Sequence, residues 1–185
     1  MMTRKHSGMS LIELMATLAI AAILTAMAIP GYSTFIMNNR AVATFNTFTS
    51  ALQYARSEAI RRNTNITVCA SQDFLNCGPS NEWEKGWIIC DSSACGVEVL
   101  KIGEDISENF TLRASTDFSN DRRITFSSDG TLANNDGRGS FVLCDSRGTS
   151  DAKAIILNAV GRTQRGFDDD NDDIVDDHNG ANVGC

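Results

Sequence analysis

Histidine is almost missing from this chain. Of 185 residues only His6 and His178 are histidines, one ahead of the first apolar run and one inside an aspartate-rich tail. No His-centred triad or general base therefore stands out. A surplus of positive charge is missing too: the formal net charge is -7, which argues against a generic nucleic-acid binder and leaves any anionic partner to a local basic patch. The charge is unevenly placed. Residues 168–177 hold seven aspartates, so the rest of the chain is neutral. Those aspartates are too clustered to serve as a positioned acid/base pair, and the cysteines read as paired rather than nucleophilic. No internal repeat is evident. The chain reads as a non-enzyme.

What is present begins at the amino terminus. Arg4 and Lys5 precede Gly8, and an apolar run then extends from Met9 to Ile29 with Glu13 as its only charge. A carboxylate in the middle of a lipid-spanning segment costs roughly 2.5–3.5 kcal/mol on insertion scales unless something neutralises it. Cleavage after Gly8 would put a new terminal ammonium on Met9, about one helical turn from Glu13. The ammonium of a neighbouring subunit would then offset the carboxylate, and the segment would serve assembly as well as anchoring. The alternative is an ordinary secretory signal, with Ala26-Met27-Ala28 as a small-residue cleavage site. Against it, Glu13 is out of place in a signal's apolar region, and the helical pattern continues straight through the cut.

Gly8-Met-Ser-Leu-Ile-Glu13-Leu-Met resembles the class III signal of type IV pilins and pseudopilins, with Met9 where that family usually has Phe and Ser10 where it usually has Thr. The resemblance implies cleavage by prepilin peptidase between Gly8 and Met9, N-methylation of the new terminus, and a docking role for Glu13 in the filament. Removal of the leader takes the mature chain to about -9.

Six cysteines fall at 69, 77, 90, 95, 144 and 185, all beyond the apolar segment. An even count in an exported domain reads as disulfides, with zinc as the competing reading. The spacings match zinc pairs poorly, and no histidine lies nearby. Sequence proximity suggests Cys69–Cys77, Cys90–Cys95 and Cys144–Cys185, among the 15 pairings that six cysteines allow. The last would close a loop of about 40 residues, contribute on the order of 3–4 kcal/mol in the loop-entropy model, and tie down a loose acidic C-terminus.

From Met9 to about Arg62 the pattern is one long helix. Its first part is apolar all round, and about 20 such residues span a bilayer. Pro30-Gly31 marks a kink or local melting. Beyond it Phe45, Phe48, Leu52, Ala55 and Ala59 recur at three- and four-residue steps, an apolar stripe that needs a sheet to cover it. Asn63 ends the helix. Seven strand-like runs follow, at 66–69, 86–90, 97–102, 110–112, 124–126, 141–144 and 154–157, with Asp129-Gly130 and Asp136-Gly137 as turns. One long helix followed by strands predicts an α+β fold, antiparallel sheet packed on the helix stripe.

Leu52-Gln-Tyr-Ala-Arg-Ser-Glu-Ala-Ile-Arg61-Arg-Asn, Val68-Cys69-Ala-Ser, Trp83-Glu-Lys-Gly-Trp87 and Gly161-Arg162 together resemble the FimT/GspH-type minor pilins and pseudopilins over nearly the whole chain. Phe141-Val-Leu-Cys-Asp145 and the terminal cysteine are more similar to the pilus-associated FimT side. The resemblance implies the type IV pilin fold: a leader at 1–8, a transmembrane helix part at 9–30, an amphipathic part at 31–62 and a β-rich head at 63–185. It implies a subunit held in the bacterial inner membrane by a single pass, with its head in the periplasm, until it joins a type IV pilus at the cell surface. The expected partners are other pilins, prepilin peptidase, the inner membrane and double-stranded DNA, taken up in natural transformation. A type II secretion pseudopilin and a membrane-tethered nucleic-acid-binding module are the alternatives.

Two segments invite ligands. In DNA-binding FimT-type proteins the motif Gly-Arg-x-Arg lies near the C-terminus; here Gly161 and Arg162 match, and the second arginine comes one residue late, at Arg165. A glycine-started turn would present both guanidiniums to one phosphate track, since arginine's planar fork pairs bidentately with phosphate. Lys153, Arg147 and Arg138 would widen the patch. The plain alternative is a pair of exposed arginines balancing the adjacent aspartates. In the tail, Asp168, Asp170, Asp172 and Asp177 resemble part of a calcium loop, with Asn171 and Asp173 as substitutes. The usual mid-loop glycine is missing, and Gly180 comes too late to supply it. No other cofactor is expected. An acidic run is more often a solvated face, but calcium here would unmask Arg162 and Arg165.

Overall fold

The computed structural model describes residues 9–91, 95, 98–106, 109–118, 120, 122–133 and 138–185. The leader, with Gly8, and the Asp136-Gly137 turn lie outside them. Two compact units are present, Met1–Arg40 and Ala41–Cys185.

Helix α1 spans Leu11–Arg62. It runs through Pro30 and Gly31 without a break in its helical assignment, so the expected local melting is not found. In the first unit Leu11, Ile12, Leu14, Met15, Leu18, Ile20, Ile23 and Leu24 are all exposed. The helix is long and apolar enough to cross a membrane, with a mean hydropathy of 2.2 over its most apolar window, none of it buried.

In the second unit α1 has one buried side. Ala41, Phe48, Ala51, Leu52, Ala55 and Ala59 are buried, with Phe45 packed at the margin. Small residues between the large ones allow close approach, and Phe48 fills the centre. Its ring meets Phe141, Trp83 and Trp87 edge-on at 4.9, 5.6 and 5.9 Å, the arrangement aromatic quadrupoles favour. The helix stops because Asn63 takes the left-handed conformation (φ 55°) and the Thr64 amide donates to the Ala59 carbonyl at 3.2 Å. That is the long bond of a Schellman cap. Glu58 binds Arg61 and Arg62, and Arg62 reaches on to Asp91 and Glu98.

Eight strands follow: β1 (Ile66–Ala70), β2 (Trp87–Asp91), β3 (Glu98–Gly103), β4 (Phe110–Ala114), β5 (Arg123–Phe126), β6 (Gly139–Asp145), β7 (Lys153–Leu157) and β8 (Thr163–Arg165). They form two four-stranded antiparallel sheets, ordered β3-β2-β1-β5 and β4-β6-β7-β8. One face of each joins the helix core, through Ile66, Val68, Ile89 and Ile124 in the first sheet and Leu112, Phe141, Ile155 and Leu157 in the second. The eighth strand was not foreseen; it occupies the segment expected to be a ligand-binding turn.

The acidic C-terminus is held by packing as well as by the expected Cys144–Cys185 bridge: Cys144, Ala152, Ala154 and Val183 form a second small core, with Val142, Ile174 and Val175 packed against it. Val183 and Asp177 donate backbone hydrogen bonds to Val175 and Ala181. His178 is buried rather than solvated. Its ring Nδ1 lies 2.9 Å from the Ser140 hydroxyl, and its amide donates to the same oxygen. With Asp117 3.4 Å from Nε2, this is a Ser–His–Asp contact; Ser140 is fully buried and therefore holds the tail rather than offering a nucleophile.

Candidate functional site

At the amino end, Ser10 and Glu13 stand at the spacing of a capping box, and the amides of Glu13 and Leu14 donate to the Ser10 carbonyl. Glu13 is thus in the first turn of α1, not in the middle of an apolar span as the sequence suggested. The positive end of the helix dipole favours a carboxylate there. Met9, two residues before the helix, is exposed.

The head's cysteines pair as Cys69–Cys77, Cys90–Cys95 and Cys144–Cys185. The first two bridges lie side by side on the outer face of β1 and β2, with the sulfurs of Cys69 and Cys95 3.7 Å apart. All four sulfurs fall within 4.8 Å of one another, a proximity that the spacing did not reveal. Paired as disulfides, they offer no thiolate to zinc. Cys144–Cys185 anchors the end of the chain to β6.

The Gly161-Arg162 segment closes the β7–β8 hairpin. The Gly161 amide donates to the Asn158 carbonyl at 2.8 Å, and the Asn158 amide donates to the Arg162 carbonyl at 3.1 Å. Gly161 sits at φ 73°. This is a type I turn followed by a left-handed bulge residue. A Cβ on Gly161 would lie 2.2 Å from the Gly130 carbonyl oxygen, the atom to which Arg56 Nε donates at 2.9 Å. Gly161 therefore has a structural task of its own.

The two arginines border different hollows. Arg162 lies in the turn just before β8 and Arg165 ends the strand; between them Thr163 accepts a bond from Gln53 of α1. Arg162 borders a hollow with Gln53, Arg56, Ser57 and Ile60, whereas Arg165 borders another with Phe167, Asp169, Asp176 and Asp177. Both guanidinium residues are exposed, and β8 is an edge strand. Lys153 is half-buried; burial lowers its pKa, and the nearby Arg165 and Arg147 add to this. Arg147 is held by Asp145 and Asp151, so it does not widen the patch as expected. Arg138 is exposed beside a hollow with Asn158, Ala159 and Val160.

In the tail, Asp168 accepts the amides of Asn171, Asp172 and Asp173. Burial raises its pKa, but these three donors outweigh it and the net shift is downward. Asp170 moves upward through burial and the charges of Asp172, Asp176 and Asp168. Asp173, at φ 67°, takes the left-handed conformation that a loop glycine would. Side-chain oxygens of Asp168, Asp170 and Asp176 lie within 4.8 Å of one another. Two of the expected residues serve elsewhere: Asp177 accepts the amides of Asn179 and Ala181 in the terminal turn, and Asp172 binds Ile174 and Asn182.

The model of the type II transport protein GspH family matches residues 44–161, and a prokaryotic N-terminal methylation motif matches residues 3–29. The acidic tail lies beyond the first match. No curated protein matches significantly. Among solved structures, the type IV minor pilin FimU of Pseudomonas aeruginosa PAO1 is similar in two crystal forms, each at 24% identity. One has a TM-score of 0.58 over 72% of this chain and 92% of that one; the other has 0.53 over 66% and 89%. At that identity the likeness speaks to the fold. Pilins and pseudopilins are structural, non-enzymatic proteins. With a methylation motif, a long N-terminal helix packed on antiparallel sheets and a family match over most of its length, this chain belongs to the GspH family of minor pilins and pseudopilins.

Proposed function

We propose that the chain is a minor subunit of a type IV pilus, cut between Gly8 and Met9 by prepilin peptidase. It waits in the inner membrane with its head on the periplasmic side and reaches the cell surface in the filament. The observation that carries this reading is the fully exposed apolar start of α1 with Glu13 in its first turn. Such a surface needs lipid before assembly and other helices after it, and the carboxylate is best offset by a neighbour's terminal ammonium. Glu13→Ala should leave a folded membrane protein that is depleted from sheared filaments at least tenfold. Normal incorporation would remove the proposed pairing. The matching family's description favours a second reading, a type II secretion pseudopilus; deletion of the chain would then abolish protein secretion and leave surface pili intact.

The same reading includes loose contact with duplex DNA at the edge strand β8. Arg162 just before β8 and Arg165 at its end both lie on a sheet rim, so a duplex laid along that rim meets both. Phosphate contacts of this kind position a duplex without reading its bases. Each arginine changed to Gln should flatten the salt slope of binding by about 0.9 and weaken unrelated sequences equally. DNA binding that survives loss of both arginines would refute this contact, and no binding at low salt would leave only the filament role.

A further inference from the structure

The tail contains a buried carboxylate oxygen without a partner. Asp176 is 3% exposed. Its Oδ2 accepts the Asp169 amide at 2.9 Å, while Oδ1 is buried and bonded to nothing among the described residues. Burying an unpaired carboxylate oxygen is unfavourable unless a donor or a cation stands against it. Asp176 shares its cluster with oxygens of Asp168 and Asp170, and among the described residues none of the three is in an ion pair.

We propose that residues 168–176 form a calcium site in which Asp168, Asp170 and Asp176 each supply a carboxylate oxygen. The donor chemistry selects the ion: three hard oxygens with no nitrogen or sulfur suit calcium and exclude a zinc-type set. Oxygens within 4.8 Å of one another can all reach a central ion at about 2.3–2.6 Å, and main-chain carbonyls and water complete a six- to eight-fold shell. Asp168 is already fixed by three amides, which leaves its remaining lone pairs for the ion. Asp176 is fixed through its other oxygen, and Asp170 is the exposed third ligand. The site closes the strap that carries Ile174, Val175 and Val183 onto the second core, so calcium should hold this strap against the sheet.

The test is a calcium titration of the full chain in detergent micelles, disulfides intact and metal stripped beforehand. One calcium should bind per chain with Kd on the order of 0.1–1 mM, the range of extracellular calcium modules, and the thermal midpoint should rise. Asp176→Asn and Asp170→Asn should each weaken binding at least tenfold. Asp170→Asn should also leave the calcium-free chain folded with an equal or higher midpoint, because it removes repulsion from Asp172, Asp176 and Asp168. No binding at about 10 mM calcium, an equal response to magnesium, or undiminished binding by Asp170→Asn would overturn the assignment.

Discussion

Gly161 and Gly180 share a backbone conformation and differ in their surroundings, so alanine at each separates two physical costs. Gly180 has φ 76° and nothing within 4 Å of where a Cβ would stand. Gly180→Ala should therefore cost only the left-handed penalty, about 1 kcal/mol. Gly161 has φ 73°, but its Cβ would stand 2.2 Å from the Gly130 carbonyl oxygen and 3.0 Å from Arg56 Nε. Relief requires the hairpin to move away by about 1 Å, and forced overpacking of this kind adds roughly 1–3 kcal/mol. Gly161→Ala should thus cost about 2–4 kcal/mol in all. Urea unfolding of a fragment from Tyr32 onward, followed by fluorescence of the buried Trp83 and Trp87, measures both variants. Equal losses, or a stable Gly161→Ala, would refute the claim that this glycine exists for the junction between Arg56, Gly130 and the β7–β8 turn.

Acid stability should depend on Glu58. Hydrogen bonds from Arg61 and Arg62 hold its pKa down to about 2 from 4.5, so its contribution is complete above about pH 4.5 and is lost as the pH falls toward 2. Glu58→Gln should weaken the head at neutral pH and flatten the stability profile across that window, as measured by urea midpoints at stepped pH. Replacing Cys144 and Cys185 by Ser removes a closure over 41 residues, worth about 4 kcal/mol in the loop model. Hydrogen exchange should then show residues 166–185 losing protection before the helix core does.

The fold was legible where apolar residues repeat. The α1 stripe from Phe45 to Ala59 has helical period, and Ile66-Thr-Val and Phe110-Thr-Leu alternate apolar with polar residues as strands do, so the helix-on-sheet packing follows from pattern alone. Strand β8 was not legible, because Thr163-Gln-Arg165 is polar throughout and is a strand only by its bonds to β7. The tail was misread for a related reason. Seven aspartates dominate its composition and hide Ile174, Val175, His178 and Val183, which pack or bond against β6 and its neighbours. Composition likewise pointed to Asp172 and Asp177 as ligands, when the turn at 177–181 uses one and Asn182 holds the other. Nor does the sequence announce that Arg162 and Arg165 border different hollows. Glu13 stands out in the sequence as the one charge of the apolar run. Its place in the first helical turn depends on where α1 begins.

The central claim is that the chain matures as a filament subunit, and mass spectrometry of its mature amino terminus tests it most directly. A terminus at N-methylated Met9, with Gly8 and everything before it gone, is the predicted result. A terminus at Ile29, after a cut at Ala26-Met27-Ala28, would make α1's apolar start a discarded signal and contradict the account.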